Sequence, residues 1–237
     1  MSPVTRTRWV TFDCYGTLVD WQAGFAAILS RIAGDRVDEL LRAYHRWERR
    51  MVRDSRHTPY KDVLASALRR AADETAVSLP ATDAPTLSRS WQALRPFDDV
   101  EGALARLRSK GYKLAVLTNC DDDLFEVTHR SFRTPFDLFV TAERIRGYKP
   151  APWHFRAFEL ITGVRKRDWV HVSSSVYHDI APAQAFGVKS VWLDRGRSAE
   201  NGAAGSIRVH SAADVVAAID HLFEQPQRSL RTAPQLC

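Results

Sequence analysis

The 237-residue sequence is poor in sulfur, with only three cysteines and two methionines. The cysteines are Cys14, Cys120 and Cys237, and no two of them have the short spacing of a metal-ligand pair. Their odd number also leaves at least one thiol outside any disulfide scheme. The sequence therefore excludes a disulfide-rich scaffold and a cysteine-ligated metal centre. Cys14 and Cys120 are each a small buried thiol or a nucleophile, and the pattern favours the buried thiol.

Long apolar runs are absent as well, since no stretch approaches the roughly 20 residues that a membrane helix needs. Residues 1–8 lack the apolar segment of a secretory signal, which predicts a cytoplasmic protein with no membrane partner. The formal net charge is +6, but Lys and Arg are scattered and, at 42–56, are interleaved with Glu and Asp. This pattern favours a solvated helical face over a nucleic-acid-binding surface. A positive field that attracts a small anionic substrate is the functional alternative.

The stretch from residue 9 to residue 20 carries the strongest functional signal in the sequence. Trp9 to Phe12 has the β-branched and aromatic content of a short buried strand. Asp13 ends this apolar run, and Gly16 opens a turn. Because the carboxyl ends of strands carry the ligand crevice in α/β sheets, we expect Asp13 to point into such a crevice. The alternative is that Asp13 caps a helix or closes a turn.

Strands and helices alternate along the chain beyond residue 97. The pattern predicts strands at 112–117, 136–140, 168–172 and 189–193, and so a doubly wound, parallel, Rossmann-like α/β sheet. Residues 20–96 instead carry four helical stripes and no convincing strand. We therefore predict a core of residues 1–19 and 97–224, an all-helical insert at 20–96 and a flexible tail at 225–237.

Four polar segments are expected at one edge of this sheet. They are Asp13-Cys14-Tyr15, Thr118-Asn119, Lys149-Pro150 and the segment from Ser173 to Asp179. Each is weak alone, but their order resembles the four motifs of the haloacid dehalogenase (HAD) superfamily, whose members use the first aspartate as a nucleophile. The helical insert resembles the cap domain of that superfamily, which closes over the crevice.

Tyr15 places the resemblance closer to one branch of the superfamily. Most superfamily phosphatases carry a second aspartate two residues after the first, as the general acid that protonates the leaving alcohol. A tyrosine at that place resembles the hydrolytic 2-haloacid dehalogenase (type II) branch. The difference has a chemical reason, because a halide leaves without a proton and an alkoxide does not.

The resemblance implies a hydrolase that removes halide from small 2-halo carboxylic acids through an aspartyl ester. It gives the catalytic residues as Asp13, Lys149, Asp179 and Ser173. In this scheme Asp13 is the nucleophile, Lys149 keeps it ionised, and Asp179 pairs with Lys149 and helps to position the hydrolytic water. The alternative for Lys149 and Asp179 is a structural ion pair.

The same resemblance implies a substrate-binding set of Cys14, Tyr15, Thr118, Asn119, Ser175 and His178. Backbone N–H groups around Cys14 and Tyr15, with the Thr118 hydroxyl, are expected to hold the substrate carboxylate or an oxygen of Asp13. Asn119 is expected to donate toward the departing halide. His178 is either a base that activates water or a packed or capping residue.

Serines stand at 173–175, where superfamily phosphatases usually place an acidic ligand for magnesium. Serine hydroxyls are poor substitutes for carboxylates around Mg²⁺, so the sequence predicts no metal and no other cofactor. A magnesium-dependent phosphatase acting on a small phosphate ester is the alternative function. A non-catalytic binding protein on the same scaffold is a third hypothesis. The presence of Asp13, Lys149 and Asp179 argues against it.

Some positions depart from the dehalogenase pattern. Ser175 stands where those enzymes carry an asparagine, and Phe155 stands where they carry a tyrosine. Those enzymes also use a cap arginine to receive the halide, and the candidates here are Arg42, Arg46, Arg49, Arg50 and Arg53. Related dehalogenases are often dimers, so the resemblance also admits a homodimer.

Overall fold

The computed structural model describes residues 6–54, 57–198 and 206–224. The predicted tail at 225–237, which includes Cys237, lies outside the described residues. No helix in the described ranges is long and apolar enough to cross a membrane.

The described residues form two sheets. The strands are β1 (Trp9–Phe12), β2 (Val19–Asp20), β3 (Arg95–Pro96), β4 (Lys113–Thr118), β5 (Leu138–Thr141), β6 (Trp169–Ser173), β7 (Lys189–Leu193) and β8 (Ile207–Val209). Six of them make a parallel sheet in the order β5-β4-β1-β6-β7-β8, and β2 pairs with β3. Phe12, at the end of β1, lies opposite Val116 of β4 and Val172 of β6. The strand order therefore brings the segments that follow β1, β4 and β6 to one edge.

Helices occupy most of the remaining described chain. They are α1 (Trp21–Ala33), α2 (Val37–Asp54), α3 (Tyr60–Thr75), α4 (Thr86–Arg89), α5 (Val100–Ser109), α6 (Asp122–His129), α7 (Ala142–Ile145), α8 (Trp153–Thr162), α9 (Ala181–Ala185) and α10 (Ala212–Glu224). On one face of the parallel sheet, α5 and α10 pack on a core that includes Val10, Leu114 and Val170. On the other face, α8 and α9 pack with Trp169 and Leu117. Helices thus cover both faces, which confirms the doubly wound α/β core.

The helical insert lies between β2 and β3. These two-residue strands pair antiparallel, with Val19 opposite Pro96 and Asp20 opposite Arg95, so the chain leaves and re-enters the core through one short ribbon. The expectation of no strand in residues 20–96 is wrong at these two ends. The predicted fourth helix is also broken, because a 3₁₀ turn at Trp91–Ala93 follows the four-residue α4.

Candidate active site

Asp13 lies directly after β1, at the floor of a cavity of about 580 Å³ between the core and the helical insert. Its backbone N–H donates to the carbonyl oxygen of Val172 at 3.0 Å, which extends the strand pairing by one residue. The core side of the cavity includes Thr118, Lys149 and Asp179. The predicted crevice and the predicted orientation of Asp13 are therefore present in the structure.

Lys149 connects the two carboxylates of the site. Its Nζ donates to Asp13 Oδ1 at 2.8 Å, to Asp179 Oδ1 at 2.6 Å and to the carbonyl oxygen of Leu117 at 2.8 Å. The side chain is only 1% exposed, so all three ammonium hydrogens have protein acceptors in a buried setting. The Lys149 cation balances the two buried negative charges. Without it, burial of either carboxylate in its charged form would be costly.

Burial and charge shift the pKa values of these three groups in different directions. Burial is the largest influence on Asp13 and raises the pKa of its carboxyl above the ordinary 3.8, although Lys149 opposes the shift. Burial works in the same direction at Asp179, but Lys149 and His171 outweigh it and hold that pKa far below its ordinary value. Burial alone would lower the pKa of Lys149, but the two carboxylates more than offset it and raise that pKa. Asp179 is therefore the permanent anion, and Asp13 is the more easily protonated carboxyl.

Thr17 holds the second oxygen of Asp13, with Thr17 Oγ1 donating to Asp13 Oδ2 at 2.7 Å. The hydroxyl accepts in turn from the backbone N–H of Ser174 at 2.9 Å. Of the two predicted partners of the Thr118 hydroxyl, Asp13 is wrong, because Thr118 Oγ1 donates to the sulfur of Cys120 at 3.6 Å, and the substrate carboxylate stays a prediction. The general motif pattern did not single out Thr17, although it stands four residues after Asp13 in the same turn.

Gly16 allows that turn to form. Its φ is 93°, in the region that favours glycine, and a Cβ on it would lie 3.3 Å from both the Ser174 hydroxyl and the indole nitrogen of Trp21. The turn brings the Gly16 N–H to the carbonyl oxygen of Val19 at 2.7 Å. A side chain at position 16 would therefore strain the backbone and crowd the loop that carries Asp13.

The Tyr15 ring lines the cavity, but its hydroxyl is held away from the role of an acid. The indole Nε1–H of Trp91 donates to it at 3.0 Å, and it forms a second hydrogen bond with Thr128 Oγ1 at 2.9 Å. Burial raises the pKa of Tyr15 well above its ordinary value. Tyr15 therefore provides no readily available proton for a leaving group.

Cys14 contributes only its backbone to the site. Its side chain is fully buried in the core, and burial raises the pKa of the thiol well above its ordinary value, so the nucleophile alternative is not supported. Its carbonyl oxygen accepts hydrogen bonds from the turn, including one from the Val19 N–H at 3.0 Å. The N–H groups of Cys14 and Tyr15 donate to no acceptor within the described ranges.

Asn119 clamps the backbone on which Lys149 stands. Its Oδ1 accepts from the Lys149 N–H at 2.7 Å, and its Nδ2 donates to the Lys149 carbonyl oxygen at 3.1 Å. This pairing uses one of the two amide hydrogens, so one remains for a ligand. Donation from Asn119 to a leaving group stays a prediction. The contact of Asn119 with the Lys149 backbone was not predicted from the sequence.

Asp179 is held from behind by Ser173 and His171. Ser173 Oγ donates to Asp179 Oδ2 at 3.0 Å, and His171 Nε2 lies 3.1 Å from Asp179 Oδ1. On its other side, His171 Nδ1 lies 2.9 Å from Thr11 Oγ1, which accepts from Trp169 Nε1–H at 2.8 Å. Because an ionised carboxylate can only accept, His171 Nε2 carries the hydrogen and donates it to Asp179. His171 lies inside β6, and nothing in the sequence indicated that it contacts the site.

Ser175 and His178 form the turn that follows β6. Ser175 Oγ accepts from the His178 N–H at 3.1 Å and lies 3.1 Å from His178 Nδ1. Burial lowers the pKa of His178 to about 4, so its imidazole is neutral near pH 7. Both residues line the cavity. Ser175 is therefore the capping residue of this turn, and His178 Nε2 is the ring nitrogen that is not paired with Ser175.

Arg49 is the member of the predicted arginine group that lines the cavity. Its guanidinium lies over the ring of Tyr177, 5.4 Å from the centroid, and so bridges the insert and the core. Arg46 instead forms an ion pair with Glu74 on the outer surface of the insert. Another cavity arginine, Arg195, was not predicted; it donates to the carbonyl oxygen of Thr17 at 3.0 Å.

The donor set does not fit a magnesium site of the phosphatase type. At the position where such enzymes keep a metal carboxylate, the Ser174 hydroxyl instead lies 3.2 Å from Thr17 Oγ1. Asp13 and Asp179 remain, and both are already bonded to Lys149. Within the described ranges, no group of three or more His, Cys, Asp or Glu side chains is arranged to hold a metal.

A family model for haloacid dehalogenase-like hydrolases matches residues 7–187, which include all four motifs. The chain belongs to this hydrolase family. Among characterised relatives, it is similar to haloacetate dehalogenase H-2 of Moraxella sp. (strain B), with 27% identity over 193 residues, 78% of this chain and 85% of that protein. It is also similar to the (S)-2-haloacid dehalogenase of Pseudomonas sp. (strain YL), with 26% identity over 78% of this chain and 82% of that protein.

Solved structures share the fold of this HAD hydrolase. An L-2-haloacid dehalogenase superimposes with a TM-score of 0.81 at 25% identity and covers 91% of this chain and 100% of its own. The L-2-haloacid dehalogenase of Xanthobacter autotrophicus, solved with chloropropionic acid covalently bound, gives a TM-score of 0.78 at 19% identity over 91% and 99% of the two chains. The core, the insert and their arrangement are therefore those of known dehalogenases.

Proposed function

We propose that this HAD hydrolase removes halide from small 2-halo carboxylic acids through an aspartyl ester on Asp13. The observation that carries the proposal is the set of contacts around the Asp13 carboxylate. Asp13 lies at the floor of the cavity, with Lys149 on one oxygen and Thr17 on the other, and the residue two positions later is a tyrosine with an engaged hydroxyl. This arrangement suits a nucleophile whose leaving group needs no proton.

In the first step, a carboxylate oxygen of Asp13 attacks the substrate carbon that bears the halogen. The new carbon–oxygen bond forms as the carbon–halogen bond breaks, and the halide leaves with the bonding electron pair. Lys149 keeps Asp13 ionised while the substrate, itself an anion, is in the cavity. The product of this step is an ester between Asp13 and the 2-position of the acid.

In the second step, water attacks the ester carbonyl carbon of Asp13. The oxyanion that develops on the former carboxylate oxygen lies beside Lys149, which stabilises it. The ester bond then breaks as the proton left on the attacking oxygen passes to the departing oxygen, so that the 2-hydroxy acid leaves as an alcohol and Asp13 returns to its carboxylate form. The neutral imidazole of His178 lines this side of the cavity and takes up one proton of the water, while Asp179 helps to position that water.

Free donors around Asp13 account for recognition of the substrate. The N–H groups of Cys14 and Tyr15 point to no protein acceptor in the described residues, and they suit the substrate carboxylate. The guanidinium of Arg49 and the second amide hydrogen of Asn119 supply positive charge and a donor for the departing halide. The core thus supplies the nucleophile, and the core and the insert together bind the departing halide.

A phosphatase on the same fold is the second candidate. A putative HAD hydrolase of Bacillus subtilis, solved with magnesium bound, shares the fold with a TM-score of 0.76 at 16% identity. The fold alone therefore does not decide between the two chemistries. Tyr15 and Ser174 favour the dehalogenase, because a phosphoryl dianion calls for a general acid and for a metal held by carboxylates. A cytoplasmic location and a homodimer stay predictions.

The two candidates give opposite results in one assay. Enzyme treated with a chelator is incubated with chloroacetate, 2-chloropropionate and fluoroacetate, and halide is measured; p-nitrophenyl phosphate is tested with and without added magnesium. We expect halide release that does not change when magnesium is added. Phosphate release that requires magnesium, with no haloacid turned over, would overturn the proposal in favour of the phosphatase.

A further inference from the structure

The insert side of the cavity contains a buried hydroxyl without a well-formed hydrogen bond. Tyr44, on α2, lines the cavity and is 1% exposed, and its hydroxyl, although close to that of Tyr60, makes no hydrogen bond of good geometry with any described residue. Such a group loses its hydration on folding and gains nothing from the protein in return. Core tyrosines normally avoid this state, so the hydroxyl is available to a ligand in the cavity.

Glu48 and Tyr60 lie beside that hydroxyl on the same wall. Glu48 follows Tyr44 by four residues on α2, which places the two side chains on one face of the helix. The hydroxyl of Tyr60 donates to Glu48 Oε1 at 3.2 Å. Burial raises the pKa of Glu48 to about 7, with Tyr60 and Arg49 acting in the opposite direction. The lining of the cavity thus brings together a carboxyl group and a hydroxyl.

The cavity is larger than a short haloacid needs. Its volume of about 580 Å³ lies within the range of roughly 300–1,000 Å³ found for pockets that hold drug-sized ligands. A chloroacetate held by the donors around Asp13 fills a small part of that volume. A substrate that fills the rest of the cavity and also reaches Tyr44 and Glu48 needs a longer chain and a polar end.

We propose that Tyr44 and Glu48 form a second, distal binding subsite for a hydroxyl group at the far end of the substrate. The substrate is then a 2-halo acid whose chain ends in a hydroxyl, which accepts from the Tyr44 hydroxyl and donates to Glu48. This inference rests on the proposed function for the carboxylate end of the substrate. It adds the chemical group at the opposite end of the substrate. A hydroxyl fits because it is both a donor and an acceptor.

Binding of unreactive acids tests this subsite without relying on turnover. Affinities are measured by calorimetry for 4-hydroxybutanoate, 6-hydroxyhexanoate and 8-hydroxyoctanoate, each against the acid in which a methyl group replaces the hydroxyl. We expect one chain length at which the hydroxy acid binds about tenfold more tightly than its methyl counterpart. Tyr44→Phe and Glu48→Leu should each remove that preference at the same length.

Tyr112→Phe is the matched control, because the Tyr112 hydroxyl donates to Asp220 and does not line the cavity. It should keep the preference in full. Circular dichroism checks that each variant is folded, and Glu48→Leu decides the question if Tyr44→Phe does not fold. Equal affinities at every length, failure of both acids to bind, or a preference that survives in the folded variants would overturn the subsite.

Halide release from 2-bromopropionate by the unmodified enzyme separates this inference from the proposed function. Halide release together with equal affinities rejects the distal subsite and keeps the dehalogenase. A preference that depends on Tyr44, with no halide released, keeps the subsite and rejects the dehalogenase.

Discussion

Asp121 of the core accepts a hydrogen bond from the backbone N–H of Tyr60, the first residue of α3, at 2.7 Å. The next N–H, that of Lys61, donates to the other oxygen of Asp121 at 2.9 Å. The helix follows Pro59 and receives no cap from a side chain of its own segment. The core therefore supplies the N-terminal cap of an insert helix, from a loop that also carries Asn119.

Replacing Asp121 with alanine should loosen the insert over the active site. Loss of an N-cap costs about 1 kcal/mol, and here the lost bonds also join the two parts of the molecule. We expect a lower free energy of unfolding in urea and a KM for 2-chloropropionate raised severalfold. Asp83→Ala is the control, since the Asp83 side chain accepts from its neighbour Thr82 within the insert. Equal effects of the two substitutions would show that Asp121 does not hold the insert closed.

Arg49→Ala should lower kcat/KM for 2-chloropropionate by about tenfold to a hundredfold. Hydrogen bonds to charged groups contribute about 1.5–3 kcal/mol, and Arg49 is the arginine of α2 that lines the cavity. Arg46→Ala is the matched control, because Arg46 pairs with Glu74 away from the cavity. Steady-state kinetics on both variants decide the point. An Arg49→Ala variant as active as Arg46→Ala would assign the halide to the core.

Lys149→Met should reduce kcat by at least ~100-fold, comparable to the loss of a donor that stabilises an oxyanion. The substitution also leaves Asp13 and Asp179 as buried carboxylates without their cation, a state that costs about 3–5 kcal/mol. We therefore expect a lower Tm together with the lost activity. Lys113→Met removes a lysine that pairs at the surface and should change neither quantity much. Near-normal turnover in folded Lys149→Met would make the lysine purely structural.

Acid should inactivate the enzyme at a higher pH than an ordinary aspartate would titrate. Only ionised Asp13 can attack, and burial raises its pKa above 3.8, so kcat/KM falls as the pH decreases through that raised value. Thr17→Val removes a hydrogen bond that favours the ionised form and should move the acid limb to still higher pH. The measurement is the pH dependence of kcat/KM, with circular dichroism to confirm folding. A limb that Thr17→Val leaves in place would mean that another group controls it.

The sequence predicted the core of the fold well because its strands are short apolar runs, each followed by polar residues. The strand at Lys189–Leu193 has the predicted bounds. The three-residue β8 shows no periodicity of its own, so the pattern could not indicate it. The pairing of β2 with β3 depends on segments far apart in the chain, and two residues carry no strand signal.

The sequence predicted the charged motif residues of the site, such as Asp13 at the end of β1 and Lys149 in the loop before α8. It did not predict the contacts that depend on packing. The Thr17 hydroxyl reaches Asp13 only because Gly16 turns the chain back, and His171 reaches Asp179 from inside β6. Arg49 could not be told from its neighbours, because helix geometry alone did not show which arginine faces the cavity.

The central claim is that Asp13 forms a covalent ester, and a single turnover in heavy-oxygen water tests it most directly. Enzyme in excess over 2-chloropropionate is allowed to react once, and the peptide containing Asp13 and the product lactate are both analysed by mass spectrometry. The account predicts that the heavy oxygen enters the Asp13 carboxylate, because water attacks the ester carbonyl and not the substrate. Label found only in the lactate, with none in Asp13, would show direct attack by water and contradict the account.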